Sequence, residues 1–177
     1  ISSAHFQRST RLDRLVANTL FADGAAAAVV GAARPGDALL AGTGSVLIPD
    51  TAGEMGWTVG DHGFEMSLSA KVPDLIAAHL AAAVDAMLAS AGLARAAVES
   101  WAVHPGGPRI LTAVEAALEL RPDALAASRA VLAHHGNMSS ATILFVLERL
   151  RTAGAEGPCV ALAFGPGLTV EMAVLER

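Results

Sequence analysis

The sequence predicts an α/β domain in which layers of helix enclose a sheet. Three observations lead there. Apolar residues at helical spacing alternate with short apolar runs of strand length. Glycine and proline punctuate the boundaries between those runs. The 177 residues are 53% hydrophobic, above the usual figure of about 45–50%, which is enough for one substantial core.

Charge is sparse. Only 16% of residues are charged, against about 25% in an ordinary globular chain. So little polar surface leads us to expect that part of the molecule is covered by a partner. The start of the chain agrees: Ile1 stands where an initiator methionine would, and the first residues read like the middle of a domain. The net charge is −5, and lysine and arginine are scattered with no basic run, so nucleic acid is not an expected partner. Apolar runs are interrupted by glycine, aspartate or histidine, so no membrane insertion is expected, and no signal peptide is visible. A single cysteine allows no internal disulfide and suits a reducing cytoplasm, the expected location.

The elements follow in order. Residues 14–28 read as a helix running into a strand at 27–31. Residues 38–49 read as strand material around a Gly-Thr-Gly turn. Residues 55–68 carry strand-like pieces broken by Gly60 and Gly63. Pro73 suits the first turn of a helix, whose inner positions are Ile76, Leu80, Val84, Met87 and Leu88, with Gly92 as its stop. Residues 100–103 form a short strand ended by His104-Pro105-Gly106-Gly107. Pro108 then opens a second helix with Ile110, Leu111, Val114 and Leu118 inward. A third helix covers 124–133. After Gly136-Asn137, Ser139 or Ser140 caps a fourth, with Ile143, Val146, Leu147 and Leu150 inward. Two last strands, 159–164 and 168–175, are joined by a hairpin turn at Gly165-Pro166-Gly167.

Three places can carry chemistry. His104 sits at the carboxy end of a buried strand, before a glycine turn and a helix start, where open α/β sheets place reactive groups. Gly106 and Gly107 let a ligand approach the backbone closely. The alternative is a satisfied core histidine. Asn137 lies just before a helix, where it is either a turn or N-cap residue or an amide donor aimed into a pocket. An imidazole and an amide that converge hold a thioester carbonyl oxygen as negative charge develops on it. Phe164-Gly165-Pro166-Gly167-Leu168 is either a tight turn or the bare wall of a pocket. Cys159 sits in an apolar strand without a positive neighbour and reads as a small buried hydrophobe. His134 and His135 diverge on a helix, and no cysteine or carboxylate cluster supports a metal. His79 reads as a surface or boundary position, and His62 as a loop residue near the pocket.

The wording of these blocks is specific. "WAVHPGGPRIL", "GNMSSATILFVLERLR" and "ALAFGPGLTVEMAVL" resemble the signature blocks of chalcone and stilbene synthases, the type III polyketide synthases. "LFADGAAAAVVG" resembles the family's upstream block, and "GWTVGDHGFEMSLSAKVPDLI" its bacterial members. The resemblance spans residues 6 to 177 and identifies the chain as a carboxy-terminal half. It implies one layered α-β-α half of a thiolase-like fold, a homodimer, and a Cys–His–Asn triad whose cysteine lies in an amino-terminal half. It implies acyl-CoA and malonyl-CoA as substrates, with no cofactor and no metal. By the same resemblance His104 and Asn137 are the catalytic histidine and asparagine. Phe6 and Met66 line the substrate tunnel, and Gly106, Gly107, Ser139, Phe164, Gly165, Pro166 and Gly167 surround the substrate. A thioether at 66, where plant members carry phenylalanine, fits a long aliphatic starter and alkylresorcinol or alkylpyrone products. A ketoacyl synthase of fatty-acid initiation shares the histidine and asparagine, but not the Pro-Gly-Gly-Pro run. A non-catalytic thiolase-fold dimerisation or interaction domain is the reading from a different class. The isolated chain, lacking the nucleophile, is expected to be inactive and to associate.

Overall fold

The computed structural model describes residues 19–176. In chain order the elements are β1 (Leu39–Leu47), β2 (Met55–Gly60), β3 (Gly63–Leu68), α1 (Val72–Ser90), β4 (Ser100–Val103), α2 (Pro108–Ala117), α3 (Ala126–His135), α4 (Ala141–Thr152), β5 (Cys159–Gly165) and β6 (Thr169–Glu176). Strands β1-β6-β5-β4 form one mixed sheet in that order, parallel between β4 and β5 and antiparallel elsewhere. Strands β2 and β3 make a separate hairpin.

The pleat assigns the two faces of the sheet. Trp101, Val103, Val160, Leu162, Val170, Met172 and Val174 point to one face, where they join Ile76, Leu80, Val84 and Leu88 of α1 and Leu111 and Val114 of α2 in the larger core. Ala102, Ala161 and Ala173 point to the other, where small side chains let α3 and α4 seat Val131 and Val146 close against the sheet. The result is helix, sheet, helix, as expected.

Local chemistry explains the element ends. α1 closes in a Schellman motif: the Gly92 N–H donates to Ala89 and the Leu93 N–H to Leu88, with Gly92 at φ +71°. α1 is 19 residues long and apolar enough by length and composition to cross a membrane. Its Val72, Ile76, Leu80, Val84 and Leu88 are nevertheless fully buried on the sheet and α2, as in a core helix. This corrects the expectation that no run was long and apolar enough.

Three further expectations are corrected. The strand at 27–31 does not form, and of the helix at 14–28 only residues 19 and 20 are helical within the described range. At Phe21 the chain instead makes a single parallel bridge to Asn137, and Val29 and Val30 run exposed, with no strand beside them among the described residues. The Gly-Thr-Gly segment of 42–44 is not a turn, because β1 runs through it with only a register irregularity between Leu40 and Gly42. Gly44 is there for proximity, since a Cβ would meet Met172 Cε at 3.1 Å and Met87 Cγ at 3.2 Å. Finally, neither Ser139 nor Ser140 caps α4 with its side chain. Instead Thr142, inside the first turn, ties the helix start to the preceding turn, its buried hydroxyl accepting the Met138 N–H at 2.8 Å.

Candidate active site

His104 continues β4 by one residue, and its N–H donates to the Leu162 carbonyl at 2.7 Å, extending the ladder with β5. The sheet therefore fixes its backbone. Its ring is largely buried, and burial lowers its pKa from 6.5 to about 4, so the imidazole is neutral at pH 7.

Asn137 is fixed by a different frame. Its N–H donates to the Leu20 carbonyl at 2.7 Å, and its carbonyl accepts the Ala22 N–H at 2.9 Å. Gly136 precedes it at φ +70°, and Ser139 follows at φ +57°, a left-handed conformation uncommon outside glycine. The Ser139 N–H donates to Asn137 Oδ1 at 2.9 Å. That donor requires an oxygen opposite it, which assigns the amide orientation and turns Nδ2 the other way. Nδ2 makes one long contact, 3.5 Å, to the Gly106 carbonyl oxygen, and its second hydrogen is available to a ligand.

Both side chains line a cavity of about 190 Å³ with Met66, Gly106, Ser139, Phe164 and Pro166. Gly107, Gly165 and Gly167, expected around the substrate, fall outside this lining. A Cβ on Gly165 or Gly167 would meet Thr169 or Leu47, so those two glycines serve the β5–β6 turn. Phe6 lies outside the described residues. Sequence reasoning missed Leu20, Phe21, Met55, Trp57, Leu68 and Ile110, which complete the wall. Trp57 packs tilted against Phe21, ring centres 5.8 Å apart, and edge to face with Phe64 at 6.3 Å. The signal for Met55, Trp57, Met66 and Leu68 was available. In the β2–β3 register Met55 pairs with Leu68 and Trp57 with Met66, so alternation puts all four on one hairpin face.

The remaining candidates stay out of the site. Cys159 is half-buried at the start of β5 and packs with the smaller core. His79 is exposed on α1, and His62 is exposed at the tip of the β2–β3 hairpin. Among the described residues no group of three or more metal-binding side chains comes together. A neutral imidazole and an oriented amide that converge in an apolar cavity, with no charged side chain among the described lining residues, are suited to holding an oxygen on which negative charge develops.

Comparison with known proteins gives a consistent result. The family described as "Chalcone and stilbene synthases, C-terminal domain" matches residues 40–177. A 1,3,6,8-tetrahydroxynaphthalene synthase of Streptomyces peucetius subsp. caesius is 41% identical, over 99% of this chain and 48% of its own length. Among solved structures, PKS-I from the brown alga Ectocarpus siliculosus superposes with a TM-score of 0.75 at 30% identity, over 82% of this chain and 42% of its own. A fungal type III polyketide synthase, ORAS, gives 0.71 at 36% identity, over 79% and 41%. The chain thus spans about half the length of these relatives.

Proposed function

Because this chain belongs to the chalcone and stilbene synthase family and carries its C-terminal domain, in a thiolase-like fold, we propose that it supplies the decarboxylation half of a type III polyketide synthase active site. The observation that carries the proposal is the convergence of His104 and the oriented Asn137 amide on one cavity.

The chemistry runs in three steps. A cysteine thiolate from an amino-terminal half attacks the carbonyl of an acyl-CoA and forms an acyl thioester, and the departing coenzyme A sulfur takes the proton of the His104 imidazolium and leaves as its thiol. Malonyl-CoA then loses carbon dioxide: the bond to the carboxylate breaks, and its electron pair passes into the thioester to give an enolate. His104 and Asn137 donate hydrogen bonds to that enolate oxygen. The enolate carbon attacks the bound acyl group, a carbon–carbon bond forms, and the cysteine leaves as thiolate. The apolar wall of Phe21, Met55, Trp57, Met66 and Phe164 excludes water from the enolate and from the growing ketone chain.

The imidazolium is disfavoured by burial and no carboxylate lines the cavity among the described residues, so an adjacent cysteine thiolate is the anion that would stabilise it. His104 therefore has two roles: partner of the thiolate during loading and neutral donor during decarboxylation. The thioether of Met66, beside Met55 and Leu68, suits a long aliphatic starter and alkylpyrone or alkylresorcinol products. The full enzyme works as a homodimer in the cytoplasm and needs no cofactor.

The test is product formation by the full-length protein given malonyl-CoA with a long-chain acyl-CoA. An alkylated pyrone or resorcinol is the expected product. Tetrahydroxynaphthalene, which bears no alkyl tail, formed from malonyl-CoA alone would keep the condensation and overturn the starter. Absence of malonyl-CoA decarboxylation under both supplies overturns the proposed reaction.

A further inference from the structure

His104 and Asn137 are held by separate frames, and the second frame has no assigned role. The backbone of 20–24 runs beside Asn137 as a strap. Leu20 accepts the Asn137 N–H and Ala22 donates to the Asn137 carbonyl, at 2.7 and 2.9 Å. Two glycines make this approach possible. A Cβ on Gly136 would stand 2.8 Å from Ala22 Cβ and 3.1 Å from the Leu20 carbonyl oxygen. A Cβ on Gly24 would collide with Met138 Sδ and stand 2.6 Å from its Cγ and 2.8 Å from its Cβ. Met138 has little room to yield, being buried and having its own N–H engaged by Thr142. The strap is therefore clamped from both sides of Asn137: by Gly136 against Ala22, and by Gly24 against Met138.

We propose that the 20–24 strap is a positioning device for the Asn137 amide, and that Gly24 and Met138 set its seat. The inference rests on the proposed role of Asn137. Leu20 and Phe21 also line the cavity, but the strap reaches the amide through the Asn137 backbone. It fixes the backbone from which the Asn137–Ser139 turn springs, and that turn aims Nδ2 into the cavity. The His104 backbone hangs on β5 through Leu162 rather than on the strap. Displacing the strap should therefore separate two reactions that the complete site performs together. Starter loading needs His104 and the cysteine. Decarboxylation needs Asn137 as well.

The experiment uses the full-length protein and measures cysteine acylation by a starter acyl-CoA and carbon dioxide release from malonyl-CoA separately. Gly24→Ala drives a methyl group into the Met138 side chain, while Met138→Ala removes the buttress instead. Each single variant is expected to lose about 100-fold in the kcat of decarboxylation, the order that a misplacement of about 1 Å costs, with acylation and malonyl-CoA KM unchanged. The double variant Gly24→Ala/Met138→Ala, in which the new methyl occupies vacated space, recovers most of the loss. Should Gly24→Ala fail to accumulate as folded protein, Met138→Ala and the double variant decide. Parallel loss of acylation and decarboxylation, or no recovery in the double variant, assigns Gly24 and Met138 to general packing and overturns the proposal. Asn137→Ala is the control. If it leaves decarboxylation intact, the role of Asn137 itself fails. If it abolishes decarboxylation while the strap variants do not, the strap alone fails.

Discussion

His104 is a residue whose surroundings decide its charge. Apart from Asn137 and Ser139 the described residues around it are apolar and none is charged, so the folded state opposes the imidazolium. With a folded pKa of about 4 against 6.5 unfolded, the unfolded chain binds more protons between those values. The contribution of a neutral His104 to stability is thus fully present above pH 6.5, and it is lost as the pH falls toward 4. Denaturant unfolding should show the parent losing roughly 3 kcal/mol relative to His104→Gln between pH 7 and pH 4, from about 1.4 kcal/mol per unit of pKa. A parallel response of the two proteins contradicts a buried neutral imidazole. Asn137 illustrates the complementary case, a neutral donor whose direction is set by one backbone N–H, that of Ser139. Asn137→Leu keeps a similar shape and removes the oriented amide, and should lower decarboxylation while leaving His104-dependent starter loading. Equal loss of both would argue against a donor role for the amide.

Among the elements, α1 contributes most to the larger core. Leu80 is fully buried between the sheet and α2, and Leu80→Ala should cost about 2–5 kcal/mol in equilibrium unfolding. A cost within about 0.5 kcal/mol, as at a surface position, would contradict that packing. α1 was legible in the sequence because its signals are local: Pro73 at the start, apolar residues every third or fourth position, and Gly92 at the end. The β4–His104–α2 and Asn137–α4 junctions were legible for the same reason, since each is a short run of glycine, proline or asparagine between two periodic segments. The roof of the cavity was not. Phe21 reaches Asn137 across more than a hundred residues through one bridge, which leaves no periodicity to detect. The 20–24 segment likewise falls inside the stretch expected to be helical, and only its contact with Gly136 and Met138 explains its course. Gly44 misled in the opposite direction, because close packing of Met87 and Met172 needs glycine as much as a turn does.

For the whole molecule the informative surface is apolar. Leu39, Leu40, Val46 and Leu47 of β1, and Trp57, Val59 and Leu68 of the hairpin, are exposed among the described residues, Leu47 by 62%. Patches of this kind on a chain with few charges mark association surfaces. The chain produced alone should associate in analytical ultracentrifugation and form no polyketide from acyl-CoA and malonyl-CoA. A well-behaved monomer, or product from the chain alone, contradicts the assignment of half a site to it. The central claim is that this chain provides the group that stabilises the malonyl enolate. The most direct test is carbon dioxide release from malonyl-CoA by the full-length Asn137→Ala variant, compared with parent at equal starter loading. The account predicts a loss worth about 2.7–4 kcal/mol of transition-state stabilisation, a fall of 10²–10³-fold. Release at the parental rate would contradict it.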